Sequence, residues 1–136
     1  MFVTPTRVVF VCVENSCRSQ MAEAFARMDG SPHVLAWSAG SQASGVVSPA
    51  AVRTMAEVGY DLATHRSKTP AELPEGPFDV VVSMGCGDAC PALPAGRRED
   101  WDVPDPKALD EAGFRAVRDE IRARVGALLA SLRSEP

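Results

Sequence analysis

Cys12 and Arg18 stand at the two ends of the run Cys12-Val13-Glu14-Asn15-Ser16-Cys17-Arg18-Ser19. A loop of this kind, set between a strand and a helix, is a trap for an oxyanion with a nucleophile at its floor. The backbone N–H groups of Val13, Glu14, Asn15, Ser16, Cys17, Arg18 and Ser19, with the positive end of the following helix, form a nest for a tetrahedral anion. Arg18 adds a planar clamp that holds two anion oxygens at once. The same positive field suits a thiolate nucleophile at Cys12. The hydroxyl of Ser19 is placed to donate to that sulfur, and Asn15 to pin the loop by bonding its own backbone.

Further along lie Cys86 and Cys90, spaced Cys-x3-Cys, and Asp105, held between Pro104 and Pro106. Two readings of the cysteines stand side by side. They can exchange thiol and disulfide with Cys12, or they can form half of a zinc site completed by Cys12, Cys17, His33 or His65. Neither Cys12-x4-Cys17 nor Cys86-x3-Cys90 repeats the usual zinc-knuckle spacing, so no metal is expected. Cys17 reads as a small packing residue in the first helical turn, and His65 as a structural hydrogen-bonder. Asp105 reads either as a turn residue or as a carboxylate held still by its two prolines; the nearby Asp100 and Asp102 compete with it for an active-site role.

These residues need a scaffold, and the chain alternates. The apolar run Val8–Val11 predicts a strand over 8–12, and Met21, Ala24, Phe25 and Met28 recur at helical spacing over 17–28. A strand at 33–38, a helix at 49–58, a strand at 78–84, a strand near 98–102 and a helix at 110–132 follow. Ser48 before Pro49 is an N-cap with a preorganised first residue, and Gly59 is the stop. Phe114, Val117, Ile121, Val125, Leu128 and Leu132 give the last helix one apolar face. Such alternation implies an α/β fold with a parallel sheet, whose ligands bind outside the carboxyl ends of its strands. The stretches 40–48 and 68–77, rich in Gly, Ser and Pro, read as connections within one domain spanning 1–136.

With 136 residues, a formal charge of -4 and no basic run, the chain has no electrostatic footprint for nucleic acid or an anionic membrane. Any anion affinity must be local. No apolar stretch reaches the length of a spanning helix, and four cysteines in so short a chain argue for thiol chemistry rather than a disulfide framework. A soluble, cytoplasmic monomer is the expectation.

The loop, its continuation Arg18-Ser19-Gln20-Met21-Ala22-Glu23-Ala24, and the segments Ser38-Ala39-Gly40, His65-Arg66-Ser67, Met84-Gly85-Cys86, Cys90-Pro91 and Trp101-Asp102-Val103-Pro104-Asp105-Pro106 resemble arsenate reductases built on the low-molecular-weight tyrosine phosphatase fold. The likeness spans nearly the whole chain. It implies a single three-layer α/β domain with a four-stranded parallel sheet in the order 2-1-3-4. It also implies reduction of arsenate to arsenite, with phosphate or sulfate as competing anions. Two thiols supply the two electrons: Cys12 attacks arsenic, Asp105 is the acid for the departing hydroxide, and Cys86 forms the first disulfide with Cys12. Cys90 then attacks Cys86 and leaves a Cys86–Cys90 disulfide open to thioredoxin, with no bound cofactor. Three other readings share the loop: a transferase that hands arsenic to a small thiol such as mycothiol or glutathione, a tyrosine phosphatase, and a non-enzymatic oxyanion or redox sensor, which would leave Cys86 and Cys90 without a task.

The sequence also departs from the phosphatase pattern. Glu14 stands where those enzymes usually have Gly, Gln20 where they have Pro, and Lys107 where an aromatic residue commonly follows the Asp-Pro pair. Some relatives hold a monovalent cation through groups equivalent to Asn15, Glu23 and Ser38 and a further acidic residue, which here becomes Lys68. An ammonium taking the cation's place beside Glu23, or a plain solvent-exposed lysine, are the two expectations for Lys68.

Overall fold

The computed structural model describes residues 4–85 and 93–134. Cys86 and Cys90 therefore lie outside the described residues. Four strands, β1 (Thr6–Cys12), β2 (Val34–Gly40), β3 (Phe78–Ser83) and β4 (Ala95–Asp100), make one sheet in the order β2-β1-β3-β4. All three pairings are parallel, as the alternating pattern requires. Three helices connect or follow them: α1 (Arg18–Gly30), α2 (Pro49–Ala56) and α3 (Glu111–Ser134).

The period of two along β1 divides the core. Val8 and Phe10 face one way and join Met21 and Phe25 of α1, Met55 of α2, and Phe114, Val117, Ile121 and Val125 of α3 in one buried cluster. Val9 and Val11 face the other way and pack with Phe78 and Val81. That second face is covered from the connections, by Leu73 and Leu93, with Trp37 beside them. The layers are thus helices, sheet and connecting chain.

The predicted elements stand with shifted ends. Ser48 caps α2 by accepting from the Ala51 N–H at 3.3 Å, and Gly59, at φ 87°, follows the turn after it. The strand expected near 98–102 is corrected to Ala95–Asp100. Trp101 belongs to the loop beyond the strand, where it is buried against Phe10 with ring centroids 5.9 Å apart.

Register sets the site. Cys12 pairs with Gly40, and Val11 with Ser83, so Cys12, the end of β2 and the chain leaving β3 reach the carboxyl edge of the sheet together.

Candidate active site

The loop between β1 and α1 is held by its carbonyls. Val13 O accepts from Gln42 N at 2.8 Å, Glu14 O from Ser44 N at 3.0 Å and from the Ser67 hydroxyl at 3.1 Å, and Ser16 O from Ser48 N at 2.8 Å. A trans peptide points its N–H opposite to its C=O. Turning these carbonyls outward therefore turns the N–H groups of Glu14, Asn15 and Cys17 inward. The Asn15 N–H lies 3.3 Å from the Cys12 sulfur. Asn15 itself has φ 52°, a left-handed conformation that asparagine tolerates better than most residues. Gly40 permits the close approach of β2: a Cβ there would stand 2.5 Å from Val13 O.

The helix end is equally open. Cys17 caps α1 without a side-chain hydrogen bond, and no acidic residue occupies the first turn, so nothing on the helix itself neutralises its positive end.

Behind the loop runs a chain of buried donors whose directions are forced one by one. Gln20 Nε2 faces three oxygens, Asn15 O at 3.1 Å, Asn15 Oδ1 at 2.9 Å and Arg66 O at 3.0 Å, so its Oε1 accepts from His65 Nδ1 at 2.9 Å. His65 Nε2 is then the acceptor for the Tyr60 hydroxyl at 2.5 Å. Asn15 Oδ1 also accepts from Lys68 N at 2.9 Å, which leaves Asn15 Nδ2 to donate to Ser19 Oγ at 2.8 Å. Ser19 Oγ lies 2.9 Å from Cys12 Sγ and donates to it when that sulfur is a thiolate. Tyr60, His65, Gln20, Asn15 and Ser19 thus donate in one direction, toward the sulfur, and bonds aligned in this way polarise one another. Burial lowers the pKa of His65, whose side chain is 4% exposed, and keeps the ring neutral as this arrangement needs.

The rest of the cleft is electrostatic. Arg18 Nη1 donates to Val103 O at 3.1 Å, and its Nη2 lies 3.8 Å from Asp105 Oδ2. Gly85, at φ 75°, passes so close that a Cβ would stand 2.6 Å from Arg18 Nη1. Asp105 accepts from Lys107 N at 3.1 Å, as a turn residue does, and it also lines the cavity. Asp100 instead accepts from the Ser83 hydroxyl at 2.8 Å, and Asp102 is exposed, so of the three aspartates only Asp105 reaches the cleft.

Cys17 also lines the cavity. Its thiol is pushed up to about 11, first by burial and then by the Asp105 carboxylate, so at neutral pH it is a packing thiol rather than a second nucleophile. The cavity, of about 370 Å³, is walled by Cys12, Glu14, Arg18, Gln42, Asp105 and Lys107 among others. Gln42 and Lys107 gave no sign of this in the sequence beyond the departure noted at Lys107.

Lys68 is no solvent-exposed lysine. Its ammonium lies 3.5 Å from Glu23 Oε1, 3.5 Å from Ser38 Oγ and 3.3 Å from Arg66 O, with its side chain 13% exposed. Glu23 is buried and also takes a bond from Ser38 at 2.6 Å and an ion pair from Arg27 at 2.8 Å. A cation therefore already stands at this carboxylate. Among the described residues no group of three or more His, Cys, Asp or Glu side chains is arranged to hold a metal ion.

A family model described as low molecular weight phosphotyrosine protein phosphatase matches residues 7–136. The chain belongs to that family. Within it, the similarity runs toward the reductases. The glutaredoxin arsenate reductase of Synechocystis is 38% identical over 93% of this chain and 98% of its own length. A solved arsenate reductase in its phosphate-binding state is 38% identical, with a TM-score of 0.82 over 93% of this chain and 98% of that one. The thioredoxin-dependent arsenate reductase of Corynebacterium glutamicum is 29% identical, with a TM-score of 0.78, covering 97% of this chain and 64% of that one. The fold these structures share includes the sheet order found here.

Proposed function

We propose that this protein reduces arsenate to arsenite, with reducing equivalents from thioredoxin. The observation that carries the reading is the buried Cys12 sulfur at the floor of a loop whose carbonyls are tied outward, in a cavity that Arg18 and Asp105 also line. The anion sits on the loop N–H groups and Arg18. The Cys12 thiolate attacks arsenic, an arsenic–oxygen bond breaks, and Asp105 protonates the departing hydroxide to water. Arsenic is still pentavalent in this thioester-like adduct.

Reduction comes with the second thiol. The Cys86 thiolate attacks the Cys12 sulfur, the sulfur–arsenic bond breaks with its electron pair on arsenic, and arsenite leaves. The two sulfurs are now oxidised to a Cys12–Cys86 disulfide. Cys90 attacks Cys86, releases Cys12 as a thiolate and forms Cys86–Cys90, which a thioredoxin dithiol reduces. The arsenate reductases among the relatives support the reaction, and the thioredoxin-dependent one supports the reductant. Reduction by thioredoxin fits a cytoplasmic protein.

One relative is a glutaredoxin arsenate reductase, so the competing reductant is glutathione with glutaredoxin. The test is arsenate-dependent NADPH oxidation with thioredoxin and thioredoxin reductase, run beside glutathione, glutaredoxin and glutathione reductase, and beside hydrolysis of an aryl phosphate. Turnover with thioredoxin is expected. Turnover confined to glutaredoxin refutes the partner, and aryl phosphate hydrolysis with no arsenate reduction refutes the reaction.

A further inference from the structure

Glu14 and Lys107 are 93 positions apart in sequence yet form an ion pair between Glu14 Oε2 and Lys107 Nζ. The two residues line the same cavity from different segments, Glu14 from the anion loop and Lys107 from the turn that carries Asp105. Both roots are fixed. The Glu14 carbonyl is held by Ser44 N at 3.0 Å and the Ser67 hydroxyl at 3.1 Å, and the Lys107 N–H by Asp105 at 3.1 Å. Both side chains are nearly half exposed, at 43% and 44%, so the pair lies at the mouth rather than the floor.

We infer that this pair is a strap that determines specificity, admitting a free tetrahedral oxyanion and turning away phosphate esters. The inference rests on the oxyanion reading of the pocket. A free oxyanion has only four small oxygens and fits beneath the strap. An ester bound through its phosphoryl group must send its organic arm out of the mouth, and that arm meets the bridge between the two walls. Making room means separating Glu14 from Lys107, which leaves an uncompensated carboxylate facing a bound anion. Specificity thus comes from a repulsive element as much as from fit. With the strap closed, Lys107 cancels the charge of Glu14, so the carboxylate does not repel the small anion.

The test is calorimetric binding of inorganic phosphate and of phenylphosphonate, an aryl anion with no bond to hydrolyse. The proteins are the unaltered chain, Glu14→Gly, Lys107→Ala, the double variant, and the charge exchange Glu14→Lys with Lys107→Glu. Glu14→Gly and the double variant should shift the affinity ratio toward phenylphosphonate by about tenfold, the size of a modest steric or unpaired-charge penalty. Lys107→Ala should weaken both anions, and added salt should diminish the loss. The charge exchange rebuilds the strap and should return the ratio to that of the unaltered protein. If the unaltered protein binds phosphate but the ratio stays within about twofold in Glu14→Gly and the double variant, the strap is refuted while the oxyanion site stands. If the unaltered protein binds neither anion, the site reading falls and the strap with it.

Discussion

Substituting Gly85 separates the cost of a backbone conformation from the cost of a displaced arginine. Gly85 has φ 75°, and its missing Cβ would stand 2.6 Å from Arg18 Nη1. Gly59 has φ 87° with nothing within 4 Å of the same construction, so it carries the conformational cost alone. Alanine at either position should lower folding stability by about 1–2 kcal/mol through the left-handed backbone. Only Gly85→Ala should also push the guanidinium away, by roughly the 0.8 Å needed to reach ordinary contact near 3.4 Å. Arg18 is the flexible partner, so it moves rather than the backbone, and its bond to Val103 O and its place at the anion are lost together. A charge-assisted contact is worth about 1.5–3 kcal/mol, which is a roughly 10- to 150-fold loss of phosphate affinity. The assay pairs urea denaturation with phosphate calorimetry on both variants. A stability loss in both variants, larger in Gly85→Ala because the Arg18 bond to Val103 O is also lost, with a phosphate defect confined to Gly85→Ala, is the expected pattern; unchanged phosphate affinity in Gly85→Ala refutes the placement of Arg18 as the clamp.

The relay cysteines should fail at different stages. After one arsenate pulse, Cys86→Ser should release no arsenite, whereas Cys90→Ser should complete one turnover and retain a Cys12–Cys86 disulfide detectable by peptide mass spectrometry; full multiple turnover of Cys90→Ser with thioredoxin removes the three-thiol relay. The pKa of His65 is lowered by burial from the usual 6.5. The unfolded chain therefore takes up the proton first as pH falls. The stabilisation is complete above about pH 6.5 and declines below it toward the lower folded value. His65→Gln should flatten the stability profile below about pH 6.5, and an unaltered slope in chemical denaturation means another group is responsible. Lys68→Ala leaves Glu23 with Ser38, Arg27 and the His65 ring 3.7 Å away. The melting temperature should fall, by about 1–3 kcal/mol of stability, and potassium chloride should recover more of it than choline chloride; equal recovery by the two salts argues that no small cation fills the gap.

The parts of this molecule that were legible in the sequence are those whose signal is local. Val8 to Val11, the capped start of α2 and the apolar stripe of α3 each declare an element within a few turns of chain. The sequence of β4, Ala95-Gly96-Arg97-Arg98-Glu99-Asp100, has no apolar run because an edge strand alternates half-buried and exposed residues, and it is held by its backbone pairing to β3. The loop from Cys12 to Ser19 was readable as an anion trap because nucleophile, amides and arginine are contiguous. What supports it was not. The outward ties from Gln42 and Ser44 come from a stretch that reads as a mere connection, that from Ser48 from a residue that reads only as a helix cap, and that from Ser67 from a segment singled out only by resemblance. Gln20 registered only as a departure from proline, yet it is fully buried and joins His65 to Asn15. Glu14 and Lys107 registered as two separate oddities, because no local pattern joins residues so far apart.

The outward-tied carbonyls decide where discrimination between anions can occur. A cradle fixed by its own neighbours before any ligand arrives spends little on ordering, but it also cannot reshape itself around one guest. Arsenate and phosphate share charge and tetrahedral form, so such a cradle holds both. Choice then passes from grip to fate: phosphate offers the sulfur no accessible reduction and must depart unchanged, whereas arsenate is committed once electrons flow. In a loop that grips both anions alike, the share held by arsenate follows the ratio of the two anions in solution once the loop is full, and a tighter cradle cannot lift it above that ratio.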